Sequence, residues 1–142
     1  MRILVAVLTM ISMTGCISGA CTAIGCVDQV TYQLDAAAAS NFTVGQPVQV
    51  KACVGTTCVT ETLTLEMGND AAASQSLTYL STTRTLEYRP GTVGVEPQTV
   101  TLELTRGGNV VARLSKDLVN FSRFQPNGPG CEPVCRQASV SF

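Results

Sequence analysis

Histidine and tryptophan are absent from this 142-residue chain, and aromatic and charged side chains make up only 5% and 13% of it. Each shortage excludes something. Without histidine, a serine or cysteine nucleophile has no imidazole to activate it, and zinc loses its commonest nitrogen ligand. With a formal net charge of −1, no basic field steers nucleic acid or an acidic partner toward the chain. The mostly apolar run at residues 3–13 (ILVAVLTMISM) is too short to cross a bilayer as a helix, which takes roughly 20 residues. Few large aromatics also mean a modest core, for which covalent cross-links compensate.

What is there is threonine, valine and cysteine. The first two give a strand-rich composition, and the length fits one domain. Met1 and Arg2 start the chain with a positive charge, the uncharged run follows, and small residues come next. That is the layout of a secretory signal peptide. Met13-Thr14-Gly15-Cys16 then resembles the lipobox of bacterial lipoproteins, with methionine where leucine is usual. The resemblance covers the first sixteen residues and implies cleavage before Cys16, with acyl chains on its thiol and new amino terminus. It divides the chain into a signal peptide (1–15), a cysteine-rich tether (16–26) and a body (27–142). The partner so implied is the membrane, reached through the N-terminal lipid, since more than one chain is needed for stable anchoring. A competing site is Ser18-Gly19-Ala20 before Cys21, of the ordinary small-x-small form. Cleavage there releases a soluble secreted protein.

There are seven cysteines, an odd number that in an exported chain flags a free thiol. Lipidation or removal of Cys16 leaves an even set: Cys21, Cys26, Cys53, Cys58, Cys131 and Cys135. Residues 47–66 fix one pair. Val48, Val50, Ala52 and Val54 alternate with Gln49, Lys51 and Cys53, and a parallel alternation follows Gly55-Thr56. A two-residue loop with glycine first suits a type II′ hairpin. That register sets Cys53 opposite Cys58 in a non-hydrogen-bonded pair, with Cα atoms about 4.5 Å apart, within reach of a disulfide. Glu61 breaks the pattern by falling on the apolar face, so either the register is disturbed or that face is partly open. The other four cysteines allow three pairings. Local bridges would join Cys21 to Cys26 and Cys131 to Cys135. Long-range ones would join Cys26 to Cys135 and Cys21 to Cys131, which is favoured if the first and last strands run side by side.

Period-two alternation recurs at Val30, Tyr32 and Leu34, at Val100, Leu102 and Leu104, and at Ala138, Val140 and Phe142. Residues 106–109 (RGGN) read as a hairpin turn, residues 69–76 and 125–130 as loops, Pro90-Gly91 as a turn and residues 118–124 as one strand. Residues 35–40 (DAAAAS) are one helical turn or a loop. The fold class is all-β: a small two-sheet antiparallel β-sandwich, disulfide-stapled, immunoglobulin-like in a loose architectural sense. A small barrel is the alternative.

No residue set converges on chemistry. Zinc would want tighter Cys spacing, and a thiol oxidoreductase would want Cys-x-x-Cys at a helix start. Glu61, Glu66, Glu87 and Glu103 are the carboxylates to check, Glu61 foremost. No metal, cofactor or enzymatic activity is expected. The expectation is a lipid-anchored extracytoplasmic module binding an envelope or extracellular protein, through loops such as 106–109 and 125–130. The alternative is a structural envelope or shielding lipoprotein, including the phage-encoded exclusion type.

Overall fold

The computed structural model describes residues 24–141. The lipobox, Cys16, Cys21 and Phe142 lie outside the described residues. Two open sheets pack face to face. The elements are β1 (Asp28–Gln33), α1 (Ala36–Ala39), β2 (Pro47–Val54), β3 (Thr57–Thr64), β4 (Ala71–Ala73), β5 (Leu77–Leu80), β6 (Thr85–Gly91), β7 (Gln98–Arg106), β8 (Asn109–Val119), β9 (Ser122–Phe124) and β10 (Cys135–Ser141). The larger sheet has the order β4-β5-β6-β1-β10-β9 and the smaller β3-β2-β7-β8. The fold is the all-β sandwich that the sequence implies, and neither sheet closes into a barrel.

The smaller sheet is built from consecutive hairpins. In β2–β3, Cys53 pairs with Cys58 and Val54 with Thr57, and Gly55 takes φ +56°, as a type II′ loop requires. In β7–β8, Arg106 pairs with Asn109. Gly107 and Gly108 between them both have positive φ, the type I′ signature. Alternation then sends Val48, Val50, Ala52, Val100, Leu102 and Leu104 into the core, all buried.

The larger sheet departs from expectation in four places. One interior pair, β1 with β10, is parallel, so the sandwich is not wholly antiparallel. Residues 69–76 contain the edge strand β4 rather than a plain loop; its three alanines pair with β5. Pro90-Gly91 is not a turn but the end of β6. The ladder there jumps from Val30↔Tyr88 to Asp28↔Gly91, a bulge that accommodates a proline without a ladder donor. Residues 118–124 are not one strand. Val119 ends β8 in the smaller sheet and Ser122 starts β9 in the larger, so the chain changes sheets between them.

The core joins Val30, Tyr32, Leu86, Tyr88 and Val140 of the larger sheet to the smaller sheet's valines and leucines. Burying each such aliphatic side chain stabilises by about 1.5–3 kcal/mol. Tyr32 reaches across the sandwich, and its hydroxyl donates to the Thr101 carbonyl oxygen at 3.2 Å. Its burial, followed by the nearby Tyr88, pushes the phenol well above the ordinary range. Helix α1 is a single turn held by capping. The Asp35 carboxylate accepts from the Ala38 amide at 2.7 Å, and the Asn41 side chain donates to the Ala37 and Ala38 carbonyls. Phe42 then stacks on Tyr79, ring centres 3.8 Å apart.

Candidate functional site: the outer face of the smaller sheet

Period two sends every second residue of β2, β3, β7 and β8 away from the core. In register, this lines up Thr60, Lys51, Glu103 and Arg113 in one row across the sheet. The next row on that face is Cys58, Cys53, Thr101 and Ser115. A depression of about 270 Å³ lies over these rows, lined by Lys51, Cys53, Thr101, Glu103, Arg113 and Ser115. A second of about 340 Å³ lies further along the same face, at Gln49, Thr62, Thr105 and Gly107.

Within the first depression, Arg113 is committed to Glu103. Its Nε donates to Oε2 at 2.9 Å, and its Nη2 reaches the same oxygen. Lys51 opposes Glu103 on the other side and has no ion-pair partner among the described residues. One carboxylate between two cations leaves the row net positive. Hydroxyls of Thr60, Thr101 and Ser115 surround it. Chemically, this surface suits a polar ligand carrying an anionic group and hydrogen-bonding groups.

The cysteines divide by reach. Cys53 and Cys58 are bridged across the β2–β3 hairpin, Cα atoms 4.1 Å apart, and their bridge borders the depression. Cys26 and Cys135 are bridged over a sequence separation of 109, Cα atoms 6.0 Å apart. Local pairing of Cys131 with Cys135 is thereby ruled out, and Cys131 is disulfide-bonded as well. Its partner in the long-range scheme, Cys21, lies outside the described residues, as does the lipidation candidate Cys16. The end of the tether is fastened to the body by Cys26.

The carboxylates are not brought together. Glu103 lies on the outer face of the smaller sheet. Glu87 pairs with Thr31 and Thr78 on the other sheet, with Arg89 at 3.6 Å. Glu66 is exposed beyond β3 and accepts from Asn69 at 3.4 Å. Glu61 keeps the β2–β3 register opposite Val50, so the pattern break marks an open margin rather than a slipped strand. There Glu61 accepts from the Ser74 hydroxyl and from the Ser76 amide at 3.3 Å. It also adds to the burial that raises Tyr88 above its ordinary range. Among the described residues, no cluster of three or more metal-ligating side chains occurs.

The two recognition loops fare differently. Residues 106–109 are a tight turn beside the second depression, with Arg106 donating to Gln46. Residues 125–130 are engaged internally. Gln125 donates to the Cys131 carbonyl at 2.6 Å. Asn127 exchanges hydrogen bonds with both backbone groups of Ile24, each 3.0 Å. This loop is a clasp on the tether.

Asp28 is a polar centre that sequence reasoning missed. It is buried, and its oxygens accept from the amides of Val93 at 2.5 Å and Arg136 at 2.7 Å. Its only sequence signal was parity, as the residue two before Val30 on the inward face. No family model matches the chain, and no curated protein or solved structure is significantly similar to it.

Proposed function

We propose that this chain is a lipid-anchored, extracytoplasmic, non-catalytic binding module whose ligand face is the outer face of the smaller sheet. The observation that carries the reading is cysteine usage. Cys26, Cys53, Cys58, Cys131 and Cys135 are all disulfide-bonded, which supports an oxidising compartment, where disulfides ordinarily form and persist. With Cys21, they make up the even set that remains once Cys16 is lipidated. The lipobox-like Met13-Thr14-Gly15-Cys16 supplies the anchor. The ligand is a polar segment of an envelope or extracellular protein that carries a carboxylate or another anionic group. Lys51 meets that group, and Thr60, Thr101 and Ser115 meet its neighbours.

Intact mass of the protein from its native membrane fraction tests the anchor. The expected species starts at Cys16, carries added lipid mass, and yields six alkylatable thiols only after reduction. A start at Cys21 without lipid would instead make this a soluble secreted domain. Photocrosslinking tests the face. A crosslinker at Thr101 captures one envelope partner, and Lys51→Glu abolishes the capture. Equal capture from position 33 on the larger sheet would point to a structural shield without a dedicated binding face.

A further inference from the structure

The end of the sandwich that receives the tether carries a group of exposed apolar side chains. β1 begins there at Asp28, and β10, parallel to it, begins there at Cys135. β6 ends there at Gly91, β9 ends there at Phe124, and β8 leaves its sheet beside Gln98 at Val119. Five exposed apolar side chains share this end: Ile24 (55% exposed), Val27 (50%), Val95 (77%), Leu118 (75%) and Phe124 (46%). Their carriers are not loose. Ile24 is clasped by Asn127, Val27 follows the bridged Cys26, and the loop bearing Val95 is pinned through Val93 to Asp28.

Leu118 adds an independent observation. Asp117 and Leu118 together oppose Thr99, a bulge in β8, and Leu118 takes φ +54°. A branched side chain is disfavoured in that left-handed region, where glycine is the ordinary occupant of such a bulge. Folding gains nothing from a leucine that is strained and solvent-facing.

We propose that this end docks onto a phospholipid bilayer, with Leu118, Val95 and Phe124 inserted among the headgroups. The inference rests on the lipid-anchor reading above. Only eight residue steps separate Cys16 from Ile24, at most about 28 Å of extended chain. Pairing Cys131 with Cys21, as the long-range scheme has it, shortens the free leash further. An anchor at Cys16 therefore places the membrane within short reach of this end. Glu96, Asp117 and Glu132 share it with Lys116, Arg123 and Arg136, a balanced set, so docking is driven by apolar burial and works on neutral lipid. Val44 and Met67 lie at the opposite end, and Val110 and Val111 along β8.

The chain has no tryptophan, so single indoles report without background. Mature lipidated protein carrying Phe124→Trp is reconstituted in phosphatidylcholine vesicles containing brominated lipid, with Met67→Trp as the comparison. The expected result is a blue shift and strong quenching from position 124, and neither from position 67. Leu118→Gly raises Tm by relieving the backbone yet weakens quenching at position 124; a residue with a purely structural role would not move both in these directions. Intact mass on the same sample reads the anchor separately. Lipidated protein with equal, weak quenching at both positions overturns the docking and leaves the anchor standing. Absence of lipid on Cys16 overturns the anchor, and the docking with it. A buried indole at position 124 without bromine quenching assigns the surface to a protein and likewise overturns the proposal.

Discussion

The two sheets are held together by different means. The smaller is two hairpins, β2–β3 and β7–β8, each contiguous in sequence, joined through the β2–β7 ladder. The larger depends on partners from opposite ends of the chain: β1 beside β10, Cys26 bonded to Cys135, and Asp28 binding the amides of Val93 and Arg136. The hairpin sheet leaves an open outer face with room for a ligand, whereas polar and covalent ties crowd one end of the other. On the proposed reading, stability and recognition are thus assigned to different parts of one small domain.

That division can be broken from either side. The largest effect is expected from Cys26→Ser with Cys135→Ser. The bridge closes a loop spanning 109 residues, and the chain-entropy relation assigns it about 5 kcal/mol. Urea titration should show that loss. Asp28→Ala comes next. It strips two buried amides of their acceptor, at about 1–3 kcal/mol each, so a midpoint shift equivalent to about 3 kcal/mol is expected. Asp28→Asn should recover little, because its amide nitrogen faces a donor. The hairpin bridge should matter less. Cys53→Ser with Cys58→Ser opens a loop with a sequence separation of 5, for about 2 kcal/mol. A loss from this pair as large as that from Cys26 and Cys135 would erase the contrast between the sheets.

The smallest effect concerns pH. Tyr32, Tyr79 and Tyr88 all have phenols raised above their ordinary value of 10.0 by burial. Raised folded values mean that the folded chain holds protons that the unfolded chain releases. Their contribution is therefore whole below pH 10 and is lost progressively as pH rises above it. Tyr32→Phe should flatten the alkaline fall measured between pH 9 and 11, while costing about 1 kcal/mol at neutral pH through the lost bond to Thr101.

The same contrast sets what could be read in advance. The Cys53–Cys58 bridge, the Gly55-Thr56 loop and the RGGN turn were legible because periodicity and turn chemistry act within a few residues. The candidate ligand face follows from the same alternation, although the row of Lys51, Glu103 and Arg113 needed the β2–β7 register, which no local pattern supplies. In the larger sheet, β1, β5, β6 and β10 were legible as strands, and β1 beside β10 was weighed as the basis of the Cys26–Cys135 bridge, but β4 and the parallel sense of that pair were not legible. The parallel sense of β1 and β10 is set by packing across the whole chain. The three alanines of β4 carry no strand preference and pair only because β5 presents an edge. Pro90-Gly91 reads as a turn on propensity alone, and the bulge opposite Asp28 gives it another use. Asp28 looked like a residue before a strand, since its acceptors' partners lie at Val93 and Arg136.

The parallel pair of β1 and β10 also fixes an order of events. β1 is the first strand of the body to emerge and β10 the last, so one flank of β1 stays unpaired until nearly the whole body is present. Contacts this distant in sequence close slowly. The hairpins of the smaller sheet, by contrast, can close as soon as each turn is out. Loss of β10 would therefore remove an interior strand and cut β9 off from the larger sheet, rather than fray an edge. Such a truncated chain would keep its hairpins and the β1–β6 ladder but leave the other flank of β1 unpaired.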